Sequence, residues 1–216
     1  MTNKITNRGS SIIIGYWSAF LTLVTVGLFC ILLAVSLFGP QTIYFSFVVV
    51  MVMSLGFIGL QAAIFSDVDN NRKVYAVLSL VAVTMFSVFI SIAYYTQLTL
   101  VRLNPLGLSD EIIKLIKYTP GSISFSLDML GFSFLCLSAL FLVPIFKGQE
   151  NKVLRTFLWI NGLLAVPTFV FPIFFVAPGI ASSDMFGSIA ILIWGLVFLP
   201  VPGLIFLKIK RQERLF

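Results

Sequence analysis

Residues 94–131, YYTQLTLVRLNPLGLSDEIIKLIKYTPGSISFSLDMLG, are the only long polar interruption in an otherwise apolar chain. Three long apolar segments precede this stretch and three follow it. Of the 216 residues, 59% are hydrophobic and 10% are charged, whereas soluble domains ordinarily carry about a quarter charged residues. The sequence therefore predicts an all-α, polytopic membrane protein of six transmembrane helices, with three spans on each side of this stretch.

The six apolar segments have the lengths of membrane spans in a single domain of residues 1–216. We predict spans at residues 11–38, 43–65, 74–101, 124–146, 156–176 and 184–207, each close to the ~20 residues that cross ~30 Å of hydrocarbon. The first segment is much longer than the ~7–15 apolar residues of a signal-peptide core, so we predict that it is a retained helix.

The loop 102–123 between the third and fourth spans contains the pattern of a short amphipathic helix. Ser109 can cap its start, Asp110 and Glu111 occupy the first turn, and lysines follow near the end. This charge order suits the helix dipole. The pattern predicts either a simple connector or a gate over a site.

Lysine and arginine are distributed unequally between the two predicted sides. Both termini and the loops 66–73 and 147–155 carry eleven of the fourteen, while the opposite side carries Arg102, Lys114 and Lys117. Because basic residues concentrate on the cytoplasmic side of membrane proteins, we expect both termini to be cytoplasmic and the loop 102–123 to be external. The expected location is the cytoplasmic membrane of a bacterium.

Several classes of function are disfavoured by composition. Histidine is absent, which removes His-dependent triads, the usual haem ligands and His-containing zinc sites. The chain also lacks a Walker loop, a Gly-x-Ser-x-Gly motif and metal-ligand spacing. Its basic residues form short runs between apolar segments, which argues against a nucleic-acid surface. We expect no metal, no cofactor and no catalytic residues.

Prolines are concentrated in the last three spans. They are Pro144, Pro167, Pro172, Pro200 and Pro202. An interior proline removes a backbone donor and bends its helix, so the second half of the chain is predicted to be kinked.

Polar residues that could form a site accumulate at the ends of the third and fourth spans. On the third span a line of residues runs at steps of three, four and seven and is predicted to face the bundle: Thr84, Ser87, Ser91, Tyr94 and Tyr95, Gln97 or Leu98, and Arg102. The candidate ligand-binding residues are Tyr94, Tyr95, Gln97, Arg102 and Asp128.

The role of Asp128 depends on where the fourth helix begins. A start at Ser126 makes Asp128 an ordinary first-turn acid, whereas a start at Ser122 places it a turn and a half inside the helix. An acid at that depth needs a partner or a function. Arg102, at the end of the preceding helix, is the natural partner for an ion pair.

Two functions of different class lead, and an enzymatic activity, which requires deep polar groups that approach one another in space, is the third hypothesis. The first is non-enzymatic binding or transport of a small or lipidic molecule in an outward-facing cavity lined by the five candidate residues. The alternative is a structural or assembly subunit of a membrane complex without a ligand pocket. The expected partners are the lipid bilayer, a small-molecule or lipid ligand, and in the alternative a second copy or another subunit.

Overall fold

A computed structural model describes residues 2–36, 42–174 and 184–211, and gives side chains for residues 11–36, 42–174 and 191–211. All regular structure in these ranges is helical. The helices are α1 (Thr2–Ser36), α2 (Ile43–Asp67), α3 (Lys73–Thr96), α4 (Asp110–Ile116), α5 (Ile123–Leu142), α6 (Lys152–Leu163), α7 (Ala165–Phe174), α8 (Asp184–Phe198) and α9 (Pro200–Lys210). A π-helical turn at Gln97–Val101 continues α3.

The described helices form six segments that are long and apolar enough to cross a membrane. This confirms the predicted helical class and number of such segments. The fifth segment joins α6 to α7, and the sixth joins α8 to α9. Helix α1 begins at Thr2, nine residues before the predicted first span, and α6 begins at Lys152, four residues before the fifth. The predicted ends of those spans, at residues 38 and 176, lie outside the described ranges.

Helix interruptions in the second half follow the prolines. Helix α5 ends at Leu142, four residues before the predicted end, because Pro144 cannot continue the helical hydrogen bonds. The α6–α7 break at Leu164 lies three residues before Pro167, and Pro200 is the first residue of α9. The helices of the second half are therefore interrupted near Pro144, Pro167 and Pro200, whereas Pro172 lies inside α7, and the predicted bending stays a prediction.

The six segments close into a ring in chain order. Helix α1 packs on α2, α2 on α3, α3 on α5, α5 on α6 and α7, and α6 on α9, while α8 and α9 pack back on α1. Helix α5 is the most enclosed, with 61% of its most apolar window buried against 44% or less in the other five segments. A polar side chain on α5 is therefore more often packed against other helices than exposed on the outside of the bundle.

The centre of the ring is filled by five aromatic side chains in a closed circuit. Their ring centroids lie 6.1 Å apart for Phe57–Phe86, 5.5 Å for Phe86–Phe132, 4.8 Å for Phe132–Trp194, 5.1 Å for Trp194–Phe198 and 5.2 Å for Phe198–Phe57. All five side chains are buried. We call this set the aromatic centre, and it leaves the middle of the bundle packed.

Glycines allow two helix pairs to approach closely. A Cβ atom at Gly56 would lie 2.7 Å from Thr22 Oγ1, which explains the close packing of α1 on α2. At the α5–α6 contact, a Cβ atom at Gly162 would lie 2.8 Å from Leu140 Cβ and 3.0 Å from Leu140 Cα. Small residues are a common means of close helix packing in membrane proteins.

Gly162→Ala is expected to lower the free energy of unfolding by about 1–3 kcal/mol, because α6 must move away from the Leu140 backbone. Denaturant titration in mixed micelles measures this change. The matched control is Gly203→Ala in α9, where the new Cβ would meet only Leu23 Cδ1 at 3.5 Å. This control should be neutral or stabilise by about 0.4–1 kcal/mol. Equal losses in the two variants would contradict the role given to Gly162.

Candidate binding site

Helix α5 begins at Ile123, which decides the position of Asp128. Ser122 is the N-cap, and its Oγ accepts a hydrogen bond from Phe125 N at 3.1 Å. Asp128 is therefore a turn and a half inside the helix, and the interpretation of it as a first-turn acid is wrong. Its side chain has no exposed surface.

The Asp128 carboxyl group meets two tyrosines. Tyr118 Oη donates to Asp128 Oδ2 at 2.6 Å, and the Tyr94 ring, 6.1 Å from the Tyr118 ring, is the second phenol that faces the same carboxyl group. Among the described residues, Asp128 Oδ1 has no hydrogen-bond partner. The site therefore holds a buried acceptor atom that the rest of the described protein leaves unused.

Tyr118 belongs to the segment 102–122, which we call the connecting segment. Gln97, in the π-helical turn, holds this segment against the bundle. Its Nε2 donates to Ile116 O at 2.7 Å and to Ser124 Oγ at 2.8 Å, and its Oε1 accepts from Tyr118 N at 2.8 Å. Ser124 Oγ also donates to Ile116 O at 2.7 Å. Gln97 is buried, so these bonds fix the backbone on both sides of residue 117.

Aromatic rings pack around Tyr118, the hydrogen-bond partner of Asp128. Phe47 stacks on Tyr94 with a centroid distance of 4.5 Å and lies 5.6 Å from Tyr118. Tyr118 lies 6.1 Å from Tyr94 and 5.9 Å from Phe125. We call Asp128, Gln97 and these four rings the connector site, because they lie where the connecting segment meets α2, α3 and α5.

The structure brings together three of the five predicted site residues. Tyr94, Gln97 and Asp128 are buried in the connector site. Tyr95 is 61% exposed on the outside of α3, because it is rotated by about 100° from Tyr94. Thr84 is exposed as well, so the predicted polar line of α3 does not share one buried face.

Arg102 is placed away from Asp128. It is exposed, and its guanidinium lies over the Tyr44 ring, 5.4 Å from the centroid. Among the described residues no lysine or arginine forms an ion pair with Asp128, whose hydrogen-bond partner is the Tyr118 hydroxyl group. The expected Arg102–Asp128 ion pair is therefore absent from the described structure, because Arg102 stacks on an aromatic ring of α2 instead.

Tyr118, Phe47 and Phe125 are site residues that were not predicted from the sequence. Tyr118 precedes Asp128 by ten residues, and the turn at Pro120-Gly121 lies between them. No helical periodicity crosses such a turn. One signal in the sequence could have pointed to Tyr118. It lies just after the end of α4, where the turn at Pro120-Gly121 leads the chain back to the start of α5.

A second group of buried polar atoms lies nearer the termini, where Gln61 Oε1 and Asn161 Oδ1 have no hydrogen-bond partner among the described residues. Gln61 and Ser138 line a cavity of about 10 Å³ there. This volume suits about one water molecule, so it is too small for an organic ligand.

The connector site offers hydrogen-bonding groups and one buried acid. Within the described ranges, no group of three His, Cys, Asp or Glu residues could hold a metal ion. No protein-family model, no curated protein and no solved structure matches the chain. The class of protein is therefore defined by its fold and site alone: a bundle of six long apolar helices with a buried acid beneath a connecting segment.

The Tyr118 hydroxyl group should ionise only at unusually high pH. Burial, followed by the charge of Asp128 and the hydrogen bond to it, raises the pKa of Tyr118 well above its ordinary value of about 10. The pKa of Tyr118 is raised when the connecting segment packs on the bundle. This packing is therefore most favourable below pH ~10 and weakens as the pH rises through the raised pKa.

Subtracting the spectrum of Tyr118→Phe from that of wild type isolates the tyrosinate absorbance of Tyr118. We expect this absorbance to appear above pH ~10. Asp128→Asn should move this difference toward lower pH, because it removes the carboxylate charge. Asp110→Asn, on exposed α4, is the matched control and should have no effect. An unchanged difference spectrum in Asp128→Asn would contradict the contact.

Proposed function

We propose that this chain is a multi-pass protein of a bacterial cytoplasmic membrane, with both termini in the cytoplasm and the connecting segment outside. The support is the six long apolar helices and the large apolar side chains on the outside of the bundle. Ile13, Leu55, Val81 and Leu163 are 55–64% exposed, a surface that suits lipid. The excess of lysine and arginine on the side of the termini supports the orientation.

Lysine labelling tests this orientation. An impermeant amine reagent added outside intact cells should modify Lys114 and Lys117, which are exposed on the connecting segment. Lys210, exposed at the end of α9, should react only after permeabilisation. Labelling of Lys210 in intact cells without Lys114 and Lys117 would reverse the orientation.

In this membrane setting, the protein binds a small molecule at the connector site. The observation that carries this function is that Asp128 is fully buried while its Oδ1 atom has no hydrogen-bond partner among the described residues. Keeping an acid in such a place costs ~2.5–3.5 kcal/mol at mid-membrane and less near the interface. A ligand that donates to Oδ1 offsets this cost, so the site gains most when it is occupied.

Access to Asp128 requires movement of the connecting segment, because its carboxyl group has no exposed surface. Tyr118 is half-buried at the boundary of the site and bonds to Asp128, so displacement of its ring would expose the carboxyl group. The buried rings of the aromatic centre occupy the middle of the described bundle. The function is therefore binding from the side of the connecting segment, in agreement with an outward-facing site.

A thermal-shift screen in lipid nanodiscs tests the binding function. Small cationic, neutral and anionic organic molecules are added to wild type, Asp128→Asn and Asp110→Asn. At least one chemical class should raise the unfolding temperature of wild type and Asp110→Asn, and should do so much less in Asp128→Asn. The absence of an Asp128-dependent shift in all three classes would contradict the function.

The aromatic centre favours a second candidate function, an assembly subunit without a ligand. Its closed circuit of five buried rings fills the middle of the described bundle. In that case the exposed apolar faces pack against another protein. Copurification of a second subunit in mild detergent, together with no ligand in the screen above, would favour this function over binding.

A further inference from the structure

We propose that the ligand of the connector site is a small protonated amine, so that an ammonium group binds Asp128 Oδ1 between aromatic rings. This inference rests on the proposed binding function and names the chemical class of the ligand.

Charge is the first reason. Asp128 is buried without a lysine or arginine partner among the described residues, and Arg102 is occupied by the Tyr44 ring. An anionic ligand would add repulsion to an acid that already lacks a counter-charge. A cationic ligand supplies the missing counter-charge. A buried charge without a partner generally costs more free energy than a buried ion pair.

The walls of the site are the second reason. Phe47, Tyr94, Tyr118 and Phe125 form consecutive ring contacts of 4.5–6.1 Å, and Tyr118, the ring common to three of these contacts, bonds to Asp128. Aromatic faces attract cations, and the attraction grows when water is excluded. The same end of the bundle already holds one cation on an aromatic face, Arg102 on Tyr44.

The unused acceptor is the third reason, and it distinguishes between cations. Asp128 Oδ1 can accept N–H donors, while Tyr118 retains its bond to Oδ2. A primary ammonium offers three donors, but a quaternary ammonium offers none. A divalent metal requires several oxygen ligands, whereas this site supplies one carboxylate.

The amine can come from two sources, a soluble molecule or the headgroup of an aminolipid. Both present the same primary ammonium. The aminolipid would enter from the membrane at the ends of α2, α3 and α5, and the soluble amine would enter past Tyr118.

Binding of n-butylammonium to the protein in phosphatidylcholine nanodiscs tests the inference. The readouts are the dissociation constant and the hydrogen exchange of residues 108–122. We expect n-butylammonium to bind at least roughly tenfold more tightly than 1-butanol, butyrate and tetramethylammonium. If butanol, butyrate or tetramethylammonium binds as tightly in an Asp128-dependent way, the amine class is wrong and the binding function stands. If none of the four binds and no aminolipid replaces them, both proposals fail.

Variants separate the charge, the ring and the hydroxyl group. Asp128→Asn and Tyr118→Leu should each weaken n-butylammonium binding by roughly tenfold or more, because they remove the charge and one aromatic wall. Tyr118→Phe should retain most of the affinity, because it keeps the ring. The controls are Asp110→Asn on exposed α4 and Tyr75→Leu at the opposite end of α3. If Asp128→Asn does not fold, the contrast between Tyr118→Leu and Tyr118→Phe remains the test, and equal affinities would overturn the inference.

The lipid source is tested by replacing part of the phosphatidylcholine with phosphatidylethanolamine. If the ligand is an aminolipid, the exchange of residues 108–122 should fall without added amine, and n-butylammonium should bind more weakly because of competition. If the ligand is a soluble amine, the lipid change should have no effect while n-butylammonium still binds.

Discussion

Gln97→Ala is expected to raise hydrogen exchange in residues 108–122 by roughly tenfold to a hundredfold. The variant removes the Gln97 bonds to Ile116 O, Ser124 Oγ and Tyr118 N. Ile116 O keeps its bond from Ser124 Oγ, but the Tyr118 N–H group loses its acceptor. Leaving a buried donor without a partner costs about 1–3 kcal/mol, and each 1.4 kcal/mol changes an opening equilibrium about tenfold.

Mass spectrometry of the exchanged peptides measures this effect in nanodiscs. The matched control is Thr99→Ala in the same π-helical turn, because Thr99 Oγ1 bonds only to Tyr95 O in its own helix, at 2.7 Å. Hydrogen exchange in residues 108–122 of Thr99→Ala should match that of wild type. Slow exchange in Gln97→Ala would show that another contact holds the connecting segment. The binding site would then open independently of Gln97.

Phe86→Ala should be the most destabilising single change in the aromatic centre, with a loss of roughly 3 kcal/mol in the free energy of unfolding. Phe86 has no exposed surface and contacts both Phe57 and Phe132. Replacing a buried Phe by Ala costs ~3–5 kcal/mol in water-soluble cores. The lower end applies in the proposed membrane setting, where lipid is as apolar as the core and the loss comes mainly from packing.

Denaturant titration in mixed micelles measures the loss, and Phe45→Ala is the matched control. Phe45 lies on α2 and is 66% exposed, so its truncation should change stability by about 0.5 kcal/mol or less. Equal effects of the two substitutions would contradict a packed aromatic centre. In that event the middle of the bundle would be available as a path, and binding need not be restricted to the side of the connecting segment.

The two experiments also separate stability from access. Phe86 acts on the whole bundle, since its ring joins α2, α3 and α5. Gln97 acts on the connecting segment, and a variant that opens this segment without lowering the unfolding temperature would make ligand entry faster. We therefore expect Gln97→Ala to change the rate of n-butylammonium binding more than Phe86→Ala does.

Features that depend on local composition were predictable. The six apolar segments and the break of α6 from α7 near Pro167 follow from runs of apolar residues and from missing backbone donors. The short helix α4 agrees with the charge order after Ser109, although Ser109 makes no capping hydrogen bond through its side chain. These properties are encoded within a few helical turns.

The connector site required tertiary structure. Tyr94 and Tyr95 are adjacent in the chain, yet one is buried beside Asp128 and the other is exposed, because the rotation of α3 is set by its packing on α2 and α5. Tyr118, and not Arg102, reaches Asp128 because α5 begins at Ile123 and the connecting segment folds back onto Gln97. The sequence alone determined which segments are helical and apolar, since hydrogen bonding and hydropathy are local. Which side chains lie beside Asp128 was decided by the rotation of the helices and the path of the connecting segment. Both depend on contacts between residues that are distant in the chain.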